Sequence, residues 1–402
     1  MQTFEELYQK LNTEQQLAVD AIEGPVMVIA GPGTGKTQIL ATRILNILKK
    51  TDTQPQNILC LTYTEAGSTA MQKRLSQFMG PDAYKVPIYT FHGLCNKIIQ
   101  DYPEKFSRRE LRVMDELDKI DLVQGLIEKL PAQSILKSYN EDAQQIRKDL
   151  TKLWALMQSE EIDASQINDW ITFLSDHDNY KLAFPNHTYK VNRAPNMAGD
   201  LKMKDYDQAM TSWKKAKAAA DLYENYKEAK AAEGLYEFSD MLEWVANAFD
   251  TDEELLITYQ EQFQYILVDE YQDTSGIQNH ILYKLIDYWQ DEPNCFVVGD
   301  DDQSVYAFQG AKVSNMLKFA EKYETHLKTV VLVKNYRSTQ PILDSAKRLI
   351  DKNTLRLVNQ MKGLSKDLVA SGENLKYPQL VPSNNLFNNE FHEAVVFSHI
   401  FT

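Results

Sequence analysis

Cysteine is scarce in this chain. Cys60, Cys95 and Cys295 are the only three in 402 residues, and no two stand at CxxC spacing. That excludes a disulfide framework, and two of the three sit in apolar runs that read as buried thiols. Long hydrophobic runs are missing as well. No stretch approaches the roughly 20 apolar residues that cross a bilayer, so no membrane partner is expected. The opening residues, MQTFEELYQKLNTEQQ, are polar and acidic, unlike a signal peptide. The expectation is a soluble, cytoplasmic protein. Internal repeats and low-complexity tracts are absent. The seven histidines show no ligand spacing. His177 and His187 lie close to Asp176 and Asp178 but have no cysteine near them, so a zinc site is not expected there. Net positive charge is also lacking. A balance of −14 excludes a surface that is basic all over, while leaving room for a local basic groove.

The length suits two or three domains. Short β-rich runs alternate with helical patterns at the start. Pro25–Ala30, Ile58–Tyr63 and Val86–Tyr89 read as strands, and each is followed by a helical run, the first over Thr37–Lys49. Strands separated by helices predict a parallel, doubly wound α/β sheet. The rhythm stops from about Arg109 to Asp250, where helical runs such as Lys119–Leu130, Ala143–Met157 and Tyr206–Ala232 dominate and 176–204 reads as a long irregular loop. It returns at Tyr265–Val268, Cys295–Val298 and Thr329–Val333. The middle stretch therefore reads as an all-helical insertion in an α/β domain. Beyond Ser338, a capped helix with Pro341 near its first turn carries Ile342, Leu343, Ala346, Leu349 and Ile350 on one face.

Four loops at strand ends carry chemistry. The first is Ala30-Gly31-Pro32-Gly33-Thr34-Gly35-Lys36-Thr37, between a strand and a helix. Its glycines let backbone N–H groups turn onto phosphates, Lys36 reaches the outer phosphates, and the Thr37 hydroxyl suits magnesium. ATP with Mg2+ is the expected ligand. The second is Asp269-Glu270-Tyr271-Gln272-Asp273 after a buried strand. Two adjacent carboxylates there need a metal or water. Asp269 can hold magnesium, and Glu270 can take a proton from an attacking water. The third is Gly299-Asp300-Asp301-Asp302-Gln303-Ser304, where the Gln303 carboxamide can sense a γ-phosphate. The fourth is Lys334-Asn335-Tyr336-Arg337-Ser338, where Arg337 can reach a γ-phosphate as an arginine finger. A separate cluster, Lys202, Lys204, Lys214, Lys215 and Lys217 beside Trp213, reads equally as a phosphate contact or a solvated helix face.

In this order, the four motifs resemble the UvrD/Rep/PcrA group of superfamily 1 DNA helicases. The resemblance extends to Leu11-Asn12-Thr13-Glu14-Gln15, similar to the family's adenine-reading Q motif with Gln15 in the reading position. Thr62-Tyr63-Thr64 and Thr90-Phe91-His92-Gly93 are similar to its DNA-contacting segments. Tyr236–Met241 and Gln303–Phe308 are similar to two further motifs. It covers residues 11 to about 345 and implies two RecA-like domains with ATP between them. On that basis 1–108 and 231–327 form the first RecA-like domain, 109–230 a helical insertion, and 328–402 the start of a second domain that stops short. The resemblance implies adenine stacking on Tyr336, and a single-strand track lined by Thr62, Tyr63, Thr64, His92, Tyr306 and Phe308, where aromatic faces stack on any base. It further implies travel from 3′ to 5′ in DNA repair, replication or recombination. Single-stranded DNA and DNA junctions would be the partners; the oligomeric state stays open, with a monomer favoured, and protein partners are left open.

The chain departs from the family pattern at two places. Glu65-Ala66-Gly67-Ser68 stands where the family usually has Asn-Lys-Ala-Ala, and Phe308-Gln309 where it has Trp-Arg. Both changes remove or reverse positive charge beside the expected DNA track. No counterpart of the family's last motifs is found. The expectation is an N-terminal piece that binds ATP but hydrolyses it weakly by itself. Two rival readings are the motor of a RecB- or AddA-like helicase-nuclease and an ATP-gated DNA-binding module that does not unwind.

Overall fold

A computed structural model describes residues 3–106, 111–137, 142–192, 195–303, 313–353, 356–361 and 363–376. Tyr306, Phe308 and Gln309, and the apolar run 395–400, lie outside the described residues.

The apolar runs form one six-stranded parallel sheet. Its strands are β1 (Val26–Ala30), β2 (Ile58–Thr62), β3 (Ile88–Thr90), β4 (Tyr265–Val268), β5 (Cys295–Gly299) and β6 (Lys328–Leu332), in the spatial order β3-β2-β4-β5-β1-β6. Register is set by pairs such as Val28 with Val298 and with Val330, and Leu61 with Val268. Because successive side chains point to opposite faces, each strand feeds two cores. Met27, Ile29, Leu59, Leu61, Ile266 and Val297 pack on one side against Phe91–Asp101, Phe238–Thr251 and Gly276–Ile286. Val26, Val28, Cys60, Leu267, Phe296 and Val298 pack on the other against Thr13–Asp20, Lys36–Lys50 and Glu65–Met79. A sheet covered on both faces explains strands that read as continuous apolar runs.

The helical insertion leaves after β3 and returns before β4. Arg112–Val113 pairs in parallel with Leu235–Tyr236 at its root. Between them, Glu116–Lys129, Ala143–Glu160 and Tyr223–Ala232 enclose a core of their own around Trp154. The Trp154 ring stacks on Tyr226 at 4.7 Å, and its Nε1 donates to the Ala219 carbonyl at 2.8 Å. At the junction with the sheet domain, buried Lys230 is held by Asp240 at 2.7 Å and Glu237 at 3.2 Å.

Three sequence expectations shift here. The stretch 176–204 holds a helix, His177–Ala183, capped by Asp176, which accepts from the Asp178 and Asn179 N–H groups; Tyr180 is buried. The long helical run expected over Tyr206–Ala232 is two helices, Met203–Asp221 and Tyr223–Ala232, meeting at Leu222. Finally, β6 pairs with β1 from Lys328 to Leu332, so the first sheet runs five residues past the expected boundary at 327. Only after it does the chain turn to Lys334–Asn335, which pairs with Val369–Ala370.

Candidate functional site

All six strands are parallel, so the loops that leave β1, β4 and β5 emerge on one edge of the sheet. That edge is where ligands bind in open α/β sheets. After Ala30 the chain passes through Gly31 and Pro32 to Gly33 (φ +70°) and Gly35 (φ +92°), both in the left-handed region where glycine is favoured. The Thr34 hydroxyl closes the loop on the Gly31 carbonyl at 2.7 Å. Lys36 and Thr37 then open the helix Lys36–Lys50. Gln15 is buried against this loop, and its Nε2 donates to the Thr34 carbonyl at 2.8 Å. A Cβ on Gly35 would lie 2.8 Å from that nitrogen, so the close approach needs glycine.

The helix bearing Gln15 is fixed from behind by a buried cation. Arg43 donates to the carbonyls of Ala18 (2.9 Å), Ala21 and Ile22 (3.2 Å), at the end of Thr13–Asp20. Its guanidinium lies 4.4 Å from the Phe296 ring centre. Burial lowers its pKa to about 9. A cation at a helix C-terminus complements the unpaired carbonyls there.

Across the loop, Lys36 Nζ donates to Glu270 Oε2 at 2.6 Å. Glu270 has a left-handed backbone (φ 49°), rare for a residue with a side chain. Its N–H donates to Asp269 Oδ1 at 3.0 Å. Burial, and then the charge of Glu270, push the Asp269 carboxyl up to about 6, while Lys36 opposes the shift. Asp273 is likewise raised to about 6, by burial first and then by Glu270.

The fourth motif docks directly on the loop that follows β1. Tyr336 N–H donates to the Gly33 carbonyl at 2.8 Å, and Asn335 Nδ2 donates to the Pro32 carbonyl. Asn335 Oδ1 accepts from the N–H groups of Arg337 (2.8 Å) and Ser338 (2.7 Å), turning the chain so that Arg337 meets the loop. A Cβ on Gly33 would stand 2.6 Å from Arg337 Cβ. Tyr336 accepts a hydrogen bond from Asn12 Nδ2 at 2.9 Å, beside Gln15. One cavity of about 420 Å³ results, lined by Gly33, Gly35, Lys36, Thr37, Asp269, Glu270 and Arg337, together with Gln38, Ala70 and Arg74.

Gln303 does not join that cavity. Its Nε2 donates to Asp300 Oδ2 at 2.6 Å, and it lines a neighbouring hollow of about 320 Å³ with Gly31 and Pro32. The acidic loop there is neutralised from far along the chain. Lys366 reaches Asp300 at 2.6 Å, Asp302 at 3.0 Å and also Asp301. Arg356 grips both oxygens of Asp302 at 2.8 Å.

Of the residues expected to meet DNA, Tyr63 and His92 line one hollow of about 330 Å³ that also holds Asp273. Burial lowers the His92 pKa, and Glu65 opposes the shift. Thr62 and Thr64 are engaged internally. The Thr62 hydroxyl contacts Ser68 Oγ at 2.6 Å, and Thr64 accepts from the Gly67 N–H at 3.0 Å. Glu65 accepts from the Thr90 hydroxyl at 2.8 Å.

Several participants carried no readable signal. Arg74 sits on Glu65–Met79 and donates to Gln38; nothing in the helical pattern marks it as facing the cavity. Lys366 and Arg356 lie in weakly patterned sequence. Gln272 sits inside a motif that draws the eye to its carboxylates, yet it is buried and hydrogen-bonded to Glu270 at 3.0 Å. A polar residue in a turn enclosed by apolar runs was the available clue.

The family model described as UvrD/REP helicase N-terminal domain matches residues 11–324. Among curated relatives, the ATP-dependent DNA helicase PcrA of Bacillus subtilis (strain 168) is 31% identical over 352 residues, 87% of this chain and 41% of that protein. The proteins of the same name from Staphylococcus epidermidis (strain ATCC 12228) and Staphylococcus aureus (strain NCTC 8325) are 29% and 28% identical over 351 residues, with the same shares covered. The chain thus spans about two fifths of the length of the curated relatives it matches.

Proposed function

Because this chain belongs to the UvrD/Rep helicase family, we propose that it carries the ATP-hydrolysing core of a motor that moves along single-stranded DNA, from 3′ to 5′. The observation that carries the reading is the convergence of Lys36, Thr37, Asp269, Glu270 and Arg337 on one cavity of about 420 Å³. These residues come from three loops and from both ends of the chain. A phosphate loop alone binds nucleotide; a carboxylate and an arginine added to it make a hydrolytic site.

The donor set fits magnesium. The Thr37 hydroxyl and the Asp269 carboxylate are hard oxygen ligands. Both line the same cavity, and the neighbouring Glu270 makes a charged Asp269 costly, which a bound cation would offset. When bound, magnesium would offset phosphate charge. The residues of the chain do the rest. Lys36 exchanges Glu270 for the outer phosphates, which frees the Glu270 carboxylate to accept a proton from water. Arg337 and Arg74 supply positive charge to offset the negative charge that develops on the phosphoryl oxygens. Gln15 and Tyr336, linked through Asn12, would read and stack on adenine. Tyr63 and His92 would begin the single-strand track, and strand junctions would be its natural substrates. In domain terms, 1–108 and 231 to about 332 form the first RecA-like unit, 109–230 is inserted, and the remainder opens a second.

The test is direct. The chain should bind a fluorescent ATP analogue with Mg2+, and Lys36→Ala should abolish that binding. An oligo(dT) probe should bind and lose affinity in Tyr63→Ala. A wild-type chain that binds neither ligand refutes the proposal.

A further inference from the structure

Gln272 stands between the nucleotide cavity and the hollow that holds Tyr63 and His92. Its side chain is 1% exposed and spends every donor it has. Nε2 donates to Glu270 Oε2 at 3.0 Å and to Asp273 Oδ2 at 3.0 Å. Oε1 accepts the Asp300 N–H at 2.9 Å. Glu270 faces the nucleotide cavity, whereas Asp273 lines the second hollow with Tyr63, His92 and Lys152. One carboxamide therefore touches a residue of each.

Three features make this contact a connector. First, the same Glu270 oxygen that accepts from Gln272 also accepts from Lys36 at 2.6 Å, so Gln272 helps to set where that carboxylate points. Second, among the described residues, Asp273 Oδ1 is buried with no hydrogen-bond partner. The Asp273 carboxylate is held through Oδ2 by Gln272 and keeps an unsatisfied acceptor, a costly state that a new donor would relieve. Third, the turn that bears these residues is firm. Tyr271 is buried, with its ring 5.6 Å from Phe319. Thr274 Oγ1 donates to the Tyr271 carbonyl at 2.7 Å, and Asn315 Nδ2 donates to the Thr274 carbonyl at 2.7 Å. Neighbouring Gly299 leaves space for the carboxamide; a Cβ there would lie 2.5 Å from Gln272 Oε1.

We propose that Gln272 is a positioning residue that couples occupancy of the Tyr63–His92 hollow to the placement of Glu270. The carboxamide is planar, so its two N–H groups move together about the anchor on Asp300. A ligand in the hollow that engages Asp273 shifts one N–H bond and, with it, the other. This rests on the reading above, in which the hollow takes single-stranded DNA and the cavity takes ATP.

The experiment measures coupling as the ratio of oligo(dT) Kd values without and with the Mg2+ complex of a non-hydrolysable ATP analogue. Wild type is expected to give a ratio that departs from one by about fivefold or more. In Gln272→Met the departure should fall below about twofold, while each ligand's separate affinity stays within about threefold of wild type; in Asp273→Asn the departure should fall likewise, while the affinity for the nucleotide analogue alone stays within about threefold. A wild-type ratio in either folded variant overturns the inference. So does a loss of separate affinity with the ratio intact, which marks a binding role instead. If Gln272→Met does not fold, as judged by circular dichroism, Asp273→Asn decides alone. A wild-type chain that binds both ligands without coupling sinks the inference and spares the proposed function. One that binds neither ligand sinks both.

Discussion

Lys36 Nζ sits 2.6 Å from Glu270 Oε2, so these two residues of the cavity at the strand ends are paired with each other. A lysine held this way must leave its carboxylate to meet a phosphate. Removing the charge of Glu270 should therefore release Lys36. Glu270→Gln is expected to bind the fluorescent ATP analogue at least as tightly as wild type. Any ATP turnover should drop by about 10²- to 10⁴-fold, the usual loss when a general base is removed. Undiminished phosphate release by this variant would refute Glu270 as the base.

Arg337 reaches the cavity because Asn335 turns the chain against Pro32 and Gly33. Arg337→Ala should leave the fold intact, since its backbone supplies the docking bond. In a hydrolysis assay its effect should lie in kcat, toward the 10³- to 10⁵-fold range of arginine fingers. A change confined to nucleotide KM would place it as a binding residue only.

Gly33 and Gly24 make a matched pair. Both have positive φ, at +70° and +76°. At Gly24 a Cβ meets nothing within 4 Å, while at Gly33 it would lie 2.6 Å from Arg337 Cβ. Gly24→Ala should cost only backbone strain, about 1–2 kcal/mol in thermal unfolding. Gly33→Ala should cost more and weaken nucleotide binding as the 334–338 loop is displaced. Equal effects of the two changes would argue against docking as drawn.

Arg43 tests the link between the Gln15 helix and the helix Lys36–Lys50. Arg43→Met keeps the apolar stem on Phe296 but abandons three carbonyls. The expected loss is about 2–4 kcal/mol in urea unfolding, the range for losing charged hydrogen bonds in a buried site. Destabilisation below about 0.5 kcal/mol would show that the helix end does not depend on it.

A pH effect is expected where the helical insertion meets the sheet domain. His280 Nδ1 lies 2.6 Å from Glu161 and its Nε2 3.1 Å from Asp250. The bond to Glu161 first, against some desolvation, raises the His280 pKa above its ordinary 6.5. A base raised in the folded state contributes fully below its unfolded pKa, and the contribution fades as pH rises through the folded value. His280→Gln should therefore lower Tm relative to wild type at pH 6 and cost less at pH 9. The acid-side difference should stay under about 1 kcal/mol, because its partners are partly solvated. A larger cost at pH 9 would reverse the assignment.

What the sequence determined by itself was local. Strands that end in glycine-rich or acidic loops, and helices that follow them, are written in stretches of ten to fifteen residues, and the α/β sheet, Lys36, Asp269 and Glu270 were legible there. Gln15 and Arg337 were read through a family pattern built from such stretches. The tertiary structure decided what those loops face. Asn12 meets Tyr336 across 324 positions, and Lys366 reaches back 66 to Asp300. It also placed Gln303 outside the cavity, tied to Asp300, brought Arg74 to it, and set Gln272 between Glu270 and Asp273. The physical reason is the reach of each signal. Periodicity and turn chemistry act along the chain, whereas a carboxamide between two carboxylates, or a lysine among three, is selected by packing between segments that sequence order leaves far apart.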